Sequence, residues 1–282
     1  MSDDRRAFFR GLARAAAEVA GPAAEPPPEP EALGPPDPSR LSPEEVERYS
    51  RQLVLPEWSE AAQLTLREAS VLVVGAGALG SPVAAYLAGA GVGRLGIVDS
   101  DNVELSNLHR QTLHFTPDLG VPKAHSAVAK LRYLNPDVII DPYQARFGPL
   151  MLEGTDLVVD CSDSFDTRYD VNAACCAARI PLVEGGVIGL AGLVMAIRPG
   201  VSACYRCAFP EAPAGAPSCA EAGVLGPAAG VIGSLQALEA LKLLGGVEEP
   251  LLDAFLQVDL HDHTFLQVST SRRADCPDCG WL

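Results

Sequence analysis

Four cysteines fall in two Cys-x-x-Cys pairs, Cys204-Tyr-Arg-Cys207 and Cys276-Pro-Asp-Cys279. Their thiolates suffice to close a tetrahedral Zn2+ site and leave no position for water, so a zinc held there is structural and not catalytic. It would staple the last residues to the middle of the second half of the chain. A different chemistry is offered by VLVVGAGALGSP (71–82), an apolar run followed by Gly75-x-Gly77-x-x-Gly80. Glycines at this spacing make a tight turn, admit a phosphate to the backbone and let a helix pack closely on a strand. Alone they fit a hydride-transferring dinucleotide as well as any other nucleotide.

Asp99 follows Gly80 by nineteen residues and ends a second apolar run, where a carboxylate accepts hydrogen bonds from a ribose. An NAD enzyme would show the same. The divergence comes with Asn107, Arg110 and Gln111, and with Lys123 at a predicted helix start. One pyrophosphate is already served by glycine amides and a helix N-terminus, so further cations point to a longer phosphate chain. In DLVVDCSDSFDTRYDVN (156–172) an apolar strand is followed by Asp160, Asp163 and Asp166. Carboxylates past a strand's C-terminal end face the ligand crevice of an open α/β sheet, and Asp163 is the preferred Mg2+ ligand there. Asp160 and Asp166 also suit turn or helix-cap positions. Cys219 belongs to neither pair and lies in a Pro/Ala/Gly-rich loop, where a thiol serves as a nucleophile or as a plain small residue. Cys161, Cys175 and Cys176 stand in apolar or helical contexts as buried small hydrophobes. His261 and His263 alternate on a predicted strand with no further ligand near, which argues against a metal pair.

The positioning elements alternate. Strands are predicted at Val71–Val74, Leu95–Val98, Val138–Ile140, Leu157–Val159 and Leu182–Val183, with helices near 80–90, 122–134 and 167–178. This is the pattern of a doubly wound α/β sheet. Beyond residue 184 strands dominate (Leu193–Ile197, Phe255–Val258, Phe265–Val268), interrupted by one long helix. Its stripe Val231, Leu235, Leu238, Leu241 and Leu244 reads as core packing, and Gly245-Gly246 end it. The body starts at LSPEEVERYSRQ (41–52), where Ser42, Pro43 and Glu45 form a capping-box start. Before it, residues 1–40 read as a short amphipathic helix and a Pro-rich disordered linker. Arg5-Arg6 before Phe8-Phe9 imitates an export signal, but Arg14 and Glu18 break the apolar region that should follow. The net charge of −15 argues against a nucleic-acid binder while leaving room for a small basic pocket. No uninterrupted apolar run is long enough for a membrane span. Paired Cys-x-x-Cys motifs favour a cytoplasmic location.

RYSRQ (48–52), GAGALGS (75–81), VDSDNVELSNLHRQ (98–111), GVPKA (120–124), DCSDSFDTR (160–168), CYRC, SCAEAGVLGP (218–227), GSLQALEALKLL and CPDC occur in the order found in one family. Over residues 41–282 the chain resembles the E1-like adenylyltransferases of molybdopterin and thiamin biosynthesis, the MoeB/ThiF/HesA group. The resemblance implies a Rossmann-like doubly wound sheet continuing into a mixed sheet, with a structural four-cysteine zinc site. It divides the body into a nucleotide-binding half (41–184) and a carrier-binding and zinc half (185–282).

The activity it implies is ATP-dependent adenylation of the C-terminal glycine of a ubiquitin-like sulfur-carrier protein. By resemblance, Gly75, Gly77 and Gly80 form the nucleotide loop and Asp99 binds ribose. Asn107, Arg110 and Lys123 approach the phosphates, Asp163 holds Mg2+, and Arg51 is an arginine finger inserted into the partner subunit of a homodimer. Cys219 matches a cysteine that some relatives use to take over the carrier. Ser164 stands where relatives commonly carry Asn. No sulfurtransferase domain follows Cys279, so sulfur is expected from a separate sulfurtransferase or cysteine desulfurase. Two other classes compete. An NAD-dependent oxidoreductase with structural zinc leaves Arg51, Arg110, Lys123 and Asp163 unused. A non-catalytic ubiquitin-like-fold binding scaffold gains only if Ser164 marks a degraded site.

Overall fold

A computed structural model describes residues 39–212 and 223–282. The expected N-terminal helix and most of its linker, and Cys219, lie outside the described residues. From Ser39 the described chain forms one compact unit around a single eight-stranded sheet in the order β3-β2-β1-β4-β5-β6-β7-β8. The strands are β1 (Ser70–Val74), β2 (Arg94–Val98), β3 (Ile139–Tyr143), β4 (Leu157–Asp160), β5 (Leu182–Ile188), β6 (Ala191–Ile197), β7 (Ala254–Asp259) and β8 (Thr264–Ser269). β1 to β5 pair in parallel, whereas β6, β7 and β8 add antiparallel strands at one edge. The doubly wound sheet running into a mixed one is thus the architecture present.

The helices are α1 (Pro43–Arg48), α2 (Ser50–Leu53), α3 (Glu60–Glu68), α4 (Gly80–Ala90), α5 (Lys123–Leu134), α6 (Phe165–Ala178), α7 (Tyr205–Ala208) and α8 (Gly226–Gly245). β1 explains how both faces of the sheet are covered. Its side chains alternate, so Val71 and Val73 join one buried cluster with Leu87 of α4 and Ile232 of α8. Leu72 and Val74 join a second with Val171 of α6 and the Cys204–Cys207 segment. α1 starts with the capping box read from the sequence, Ser42 and Glu45 bonding reciprocally.

Three expectations are corrected. β3 sits one residue later than expected and contains Pro142, which an edge strand tolerates because one side of its backbone needs no ladder partner. β5 runs on through Gly185-Gly186 to Ile188, since pairing with β6 overrides the weak strand preference of glycine. His261 and His263 lie in the turn between β7 and β8, not on a strand.

The leucine stripe of α8 is only partly its core face: Leu235, Leu241 and Leu244 are half-buried against the core cluster. Ala228, Ala229, Ile232, Gly233, Gln236, Ala237 and Ala240 are buried, while Leu238 is 48% exposed. A Cβ on Gly233 would lie 2.7 Å from the Leu79 carbonyl oxygen. Small residues therefore bring α8 close to α4, and of the stripe Leu238 is turned outward. Val231, Leu235 and Leu238 line a shallow apolar groove with Pro82 and Tyr86 of α4. Among the described residues α8 alone has the length and apolarity of a membrane span. It lies on the sheet, with Gln236 and Glu239 in buried polar contacts.

Candidate functional site

The strand order turns back between β1 and β4, because β2 and β3 extend one way and β4 to β8 the other. Ligands of open α/β sheets bind at such a switch point, outside the C-terminal strand ends. A cleft of about 340 Å³ opens there, lined by Gly75, Gly77, Asp99, Arg110, Lys123 and Asp163 among others.

The glycines divide the work. Gly75 has φ +97°, and a Cβ there would sit 2.8 Å from the Cys161 carbonyl oxygen. A Cβ on Gly80 would come within 1.9 Å of the Gly75 carbonyl oxygen, so this glycine lets α4 start against the loop. Gly77 meets nothing closer than Gln111 Nε2 at 3.6 Å, which leaves its backbone open to the cleft. α4 begins without a side-chain cap; the Ser81 N–H donates to the Gly77 carbonyl at 3.0 Å and Pro82 has none, which leaves the Gly80 N–H available to an anion. Asp99 fixes this loop: one carboxylate oxygen accepts the Ala76 N–H at 2.8 Å and the other the Asp101 N–H at 2.8 Å. A carboxylate has further lone pairs, which leaves acceptor capacity for hydroxyl groups.

Lys123 opens α5 and is only 6% exposed. Its ammonium donates to Asp101 Oδ2 at 3.0 Å. Arg110 donates to the Ser106 carbonyl at 2.8 Å and reaches the cleft wall. Asn107, grouped with the phosphate residues by the resemblance, is not in the lining. It is buried, and its carboxamide oxygen accepts the Glu104 N–H at 3.3 Å, closing its own short 3-10 turn. Gln111 is 5% exposed and lines the cleft, with its side-chain oxygen buried and unpartnered.

Asp163 is exposed on the turn between β4 and α6. Ser164 caps α6, its hydroxyl oxygen accepting the Thr167 N–H at 3.1 Å. Serine is a preferred cap, so this departure from the relatives' Asn keeps the turn intact. Asp166 sits in the first helical turn. Asp160 is wholly buried, with one carboxylate oxygen accepting the Ser162 N–H at 2.8 Å.

Beside Asp160 lies a group that sequence reasoning missed. The parallel register sets Asp160 opposite Glu184 on β5, both 0% exposed. Arg168 of α6 approaches with Nη1 3.5 Å from Glu184 Oε1, while its Nη2 donates to the Ser162 carbonyl at 3.0 Å. Its guanidinium also lines the cleft. Room for it comes from Gly186, whose Cβ would lie 2.5 Å from Nη1. On the opposite face a Cβ on Gly185 would lie 2.2 Å from Gln236 Cδ, and Gln236 Nε2 donates to the Asp160 carbonyl at 2.7 Å. Burial pushes the Glu184 carboxyl well up, and the Asp160 charge pushes it further; burial also raises Asp160. Ionised, Asp160 Oδ2 and both Glu184 oxygens have no hydrogen-bond partner, whereas a proton on Glu184 supplies a donor toward Asp160. The trio then carries one positive and one negative charge. The signal in the sequence was a lone Glu inside an apolar strand, followed by two glycines.

The four paired cysteines come together, all buried, with their sulfurs within 4.8 Å of one another. Cys204–Cys207, Cys204–Cys276 and Cys207–Cys279 are 3.7, 3.6 and 3.4 Å apart. Bonds of about 2.3 Å to a tetrahedral metal give a sulfur–sulfur edge of roughly 3.8 Å, so the donor set fits such an ion. The Arg273 N–H donates to Cys207 Sγ at 3.4 Å. Asp278 accepts from Arg206 Nε at 2.8 Å and from Asn172 Nδ2 at 2.7 Å, tying the cluster to α6. Cys161, Cys175 and Cys176 are buried as the sequence implies. Burial holds the Cys161 thiol well above its ordinary value, so no nucleophile faces the cleft from there.

Arg51 is exposed on α2 and has no bonded partner among the described residues. Its neighbour Gln52 donates to the Ala90 carbonyl at 3.1 Å, at the far end of α4. An eleven-residue helix rises about 16 Å, so Arg51 stands a helix length from the cleft of its own chain.

Fold and cleft together define a nucleotide-binding α/β protein of the E1-like kind. The crystal structure of Escherichia coli MccB with MccA-N7isoASN has the same fold, with TM-score 0.75 and 23% identity over 87% of this chain and 77% of that one. The ThiF family model matches residues 49–278, and the chain belongs to that family of E1-like adenylyltransferases. The sulfur carrier protein adenylyltransferase of Thermus thermophilus is 46% identical over 244 residues, covering 83% of this chain and 90% of that protein. The SAMP-activating enzyme E1 of Haloferax volcanii is 46% identical over 239 residues, 83% of this chain and 88% of that protein.

The buried carboxyl pair generates a stability prediction. Because the folded Glu184 keeps a proton that the unfolded chain has lost, stability falls as pH rises from the ordinary carboxyl range toward the raised value. Glu184→Gln keeps the neutral shape and a donor, and should flatten this slope. Urea unfolding followed from mildly acidic pH upward measures it; an unchanged slope in E184Q means that Glu184 is ionised in the fold.

Proposed function

We propose that this chain adenylates the C-terminal glycine of a ubiquitin-like sulfur-carrier protein at the expense of ATP. The observation that carries the reading is the convergence of Gly77, Asp99, Arg110, Lys123 and Asp163 on one cleft, in a chain 46% identical to a sulfur carrier protein adenylyltransferase. A carrier carboxylate oxygen attacks the α-phosphorus, the bond to the pyrophosphate oxygen breaks, and acyl-adenylate and pyrophosphate result. Two anions must meet, so the protein contributes position and charge neutralisation. Glycine-loop N–H groups and the cations Arg110 and Lys123 serve the phosphates, Lys123 exchanging Asp101 for a phosphate oxygen. Asp99 receives the ribose. Asp163, a hard oxygen donor at the open end, is the residue to hold Mg2+, which would offset phosphate charge when bound. The NAD reading leaves these cations idle, and the intact Ser164 cap removes the motive for a non-catalytic scaffold.

The cysteine cluster is assigned to structural Zn2+. Full-length protein should contain one zinc per chain, and its removal by a strong chelator should lower Tm. Metal-free protein with undiminished Tm would refute a structural metal.

The assembly is proposed to be a homodimer. The outward apolar groove of α4 and α8 is the face it would bury, and Arg51, remote from its own cleft, would complete the partner's. Carrier and sulfur source are assigned by class only, as a Gly-Gly-terminated ubiquitin-like protein of molybdenum cofactor or thiamin biosynthesis and a separate sulfurtransferase or cysteine desulfurase. ATP–pyrophosphate exchange should appear only with such a carrier, and Lys123→Ala should lower it about a hundredfold. Silence with every carrier tried counts against adenylation. Mixing inactive R51A and D163A chains should restore about a quarter of wild-type activity at random exchange, since half the dimers carry one intact site. No recovery despite demonstrated subunit exchange would reject action across the dimer.

A further inference from the structure

His114 is 2% exposed and lies three residues beyond Gln111, behind the cleft. Its Nε2 is 2.8 Å from the Ala76 carbonyl oxygen and its Nδ1 is 2.9 Å from Ser126 Oγ. A carbonyl oxygen only accepts, so Nε2 carries the hydrogen and Nδ1 accepts from the Ser126 hydroxyl. Ser126 Oγ in turn accepts from Lys130 Nζ at 3.0 Å, and Lys130 pairs with Asp118. Burial lowers the His114 pKa, and Lys123 and Lys130 disfavour its charged form, so the ring is neutral as this hydrogen-bond pattern requires.

The consequence follows from peptide geometry. In a trans peptide the C=O and the next N–H point in opposite directions, and no cis bond occurs in the described chain. Holding the Ala76 carbonyl on His114 therefore turns the Gly77 N–H the other way, on a residue that lines the cleft. The Gly77 N–H has no intramolecular acceptor among the described residues. The same Ala76 residue is held at its own N–H by Asp99, so it is fixed at both polar groups. His114 also joins the pieces that carry the cations. Its own N–H donates to the Gln111 carbonyl at 3.0 Å, next to Arg110, and Ser126 lies one turn along α5 from Lys123.

We propose that His114 is a positioning residue of the nucleotide cleft. By binding Ala76 on one ring nitrogen and Ser126 on the other, it aims the Gly77 N–H at the bound phosphates and sets the glycine loop in register with Arg110 and Lys123. It touches no substrate. The role rests on the ATP reading above.

The test compares full-length His114→Phe, His114→Gln and Ser126→Ala with wild type, reading magnesium-ATP affinity by calorimetry without carrier, ATP–pyrophosphate exchange with carrier, and Tm. H114F, which fills the space without hydrogen bonds, should weaken ATP binding about tenfold. It should also lower the exchange kcat by roughly 10- to 100-fold while leaving the carrier KM unchanged. H114Q presents an N–H toward Ala76 and should regain most of that loss, which a role in packing alone would not predict. S126A should lose about threefold in kcat, with Tm lowered by the loss of a buried hydrogen bond. Wild-type kcat and ATP affinity in folded H114F, or H114Q no better than H114F, overturns the proposal. If H114F does not fold, S126A decides: a wild-type rate overturns it. Wild-type protein that binds ATP but shows no carrier-dependent exchange counts against the reaction, while the carrier-free binding series still judges His114.

Discussion

A guanidinium buried against a β-sheet must be neutralised, and Arg168 is the charge around which this structure is arranged. It faces carboxyl groups from two strands at once, Asp160 of β4 and Glu184 of β5, which only their parallel register brings together. Two carboxylates there would leave one surplus negative charge in an apolar interior, so one must keep a proton. The side chain also needs space flat on the strand, hence Gly186, while its neighbour Gly185 grants the same to Gln236 from the other face. Through the Ser162 carbonyl the same guanidinium fixes the turn that carries Asp163. The helix that supplies Arg168 continues to Asn172, which holds the cysteine segment through the Tyr205 N–H and Asp278. Cleft and cysteine cluster are therefore two ends of one helix, anchored by one buried charge.

The local parts of this design were legible in the sequence. The helix at 80–90 has the bounds expected of it, because a glycine start and a Gly91 stop are local signals. The two Cys-x-x-Cys pairs likewise announce their chemistry by spacing, though only the fold brings residues 204 and 276 together. What was not legible depends on pairing across distance. Nothing near Glu184 says that Asp160 will face it. Nothing near His114 says that it will hold Ala76, thirty-eight residues earlier. Asn107, which the resemblance groups with the phosphate residues, has a local role that the motif does not announce: its carboxamide oxygen closes its own turn.

The long helix shows why periodicity alone places a core face only approximately. Leucines at helical spacing read as core, yet a core position also requires that the backbone can come close enough. Where α8 crosses α4 and the sheet, the contact side is alanine and glycine, and Ile232 already fills the space beside Gly192. Close approach selects small residues, so Leu238 is left on the outside with Tyr86, which is 59% exposed, while Leu235, Leu241 and Leu244 stay half-buried against the core. A monomer gains little from an apolar groove of this kind, and interaction surfaces are where such groups are retained.

The same economy of position governs the charges. With a net charge of −15, the chain as a whole repels the phosphates assigned to its cleft in the proposed function, so attraction there must be short-ranged and local. Lys123 illustrates how this is arranged. Its side chain is 8% exposed whereas its partner Asp101 is 67% exposed. The cation is buried, and the carboxylate is already largely hydrated. Exchanging Asp101 for a phosphate oxygen then returns an almost solvated group to water and removes no charge from the interior. A buried lysine held by an exposed carboxylate is committed to no buried partner. Together with N–H groups that have no acceptor of their own, it lets an acidic protein bind an acidic ligand without reorganising its core.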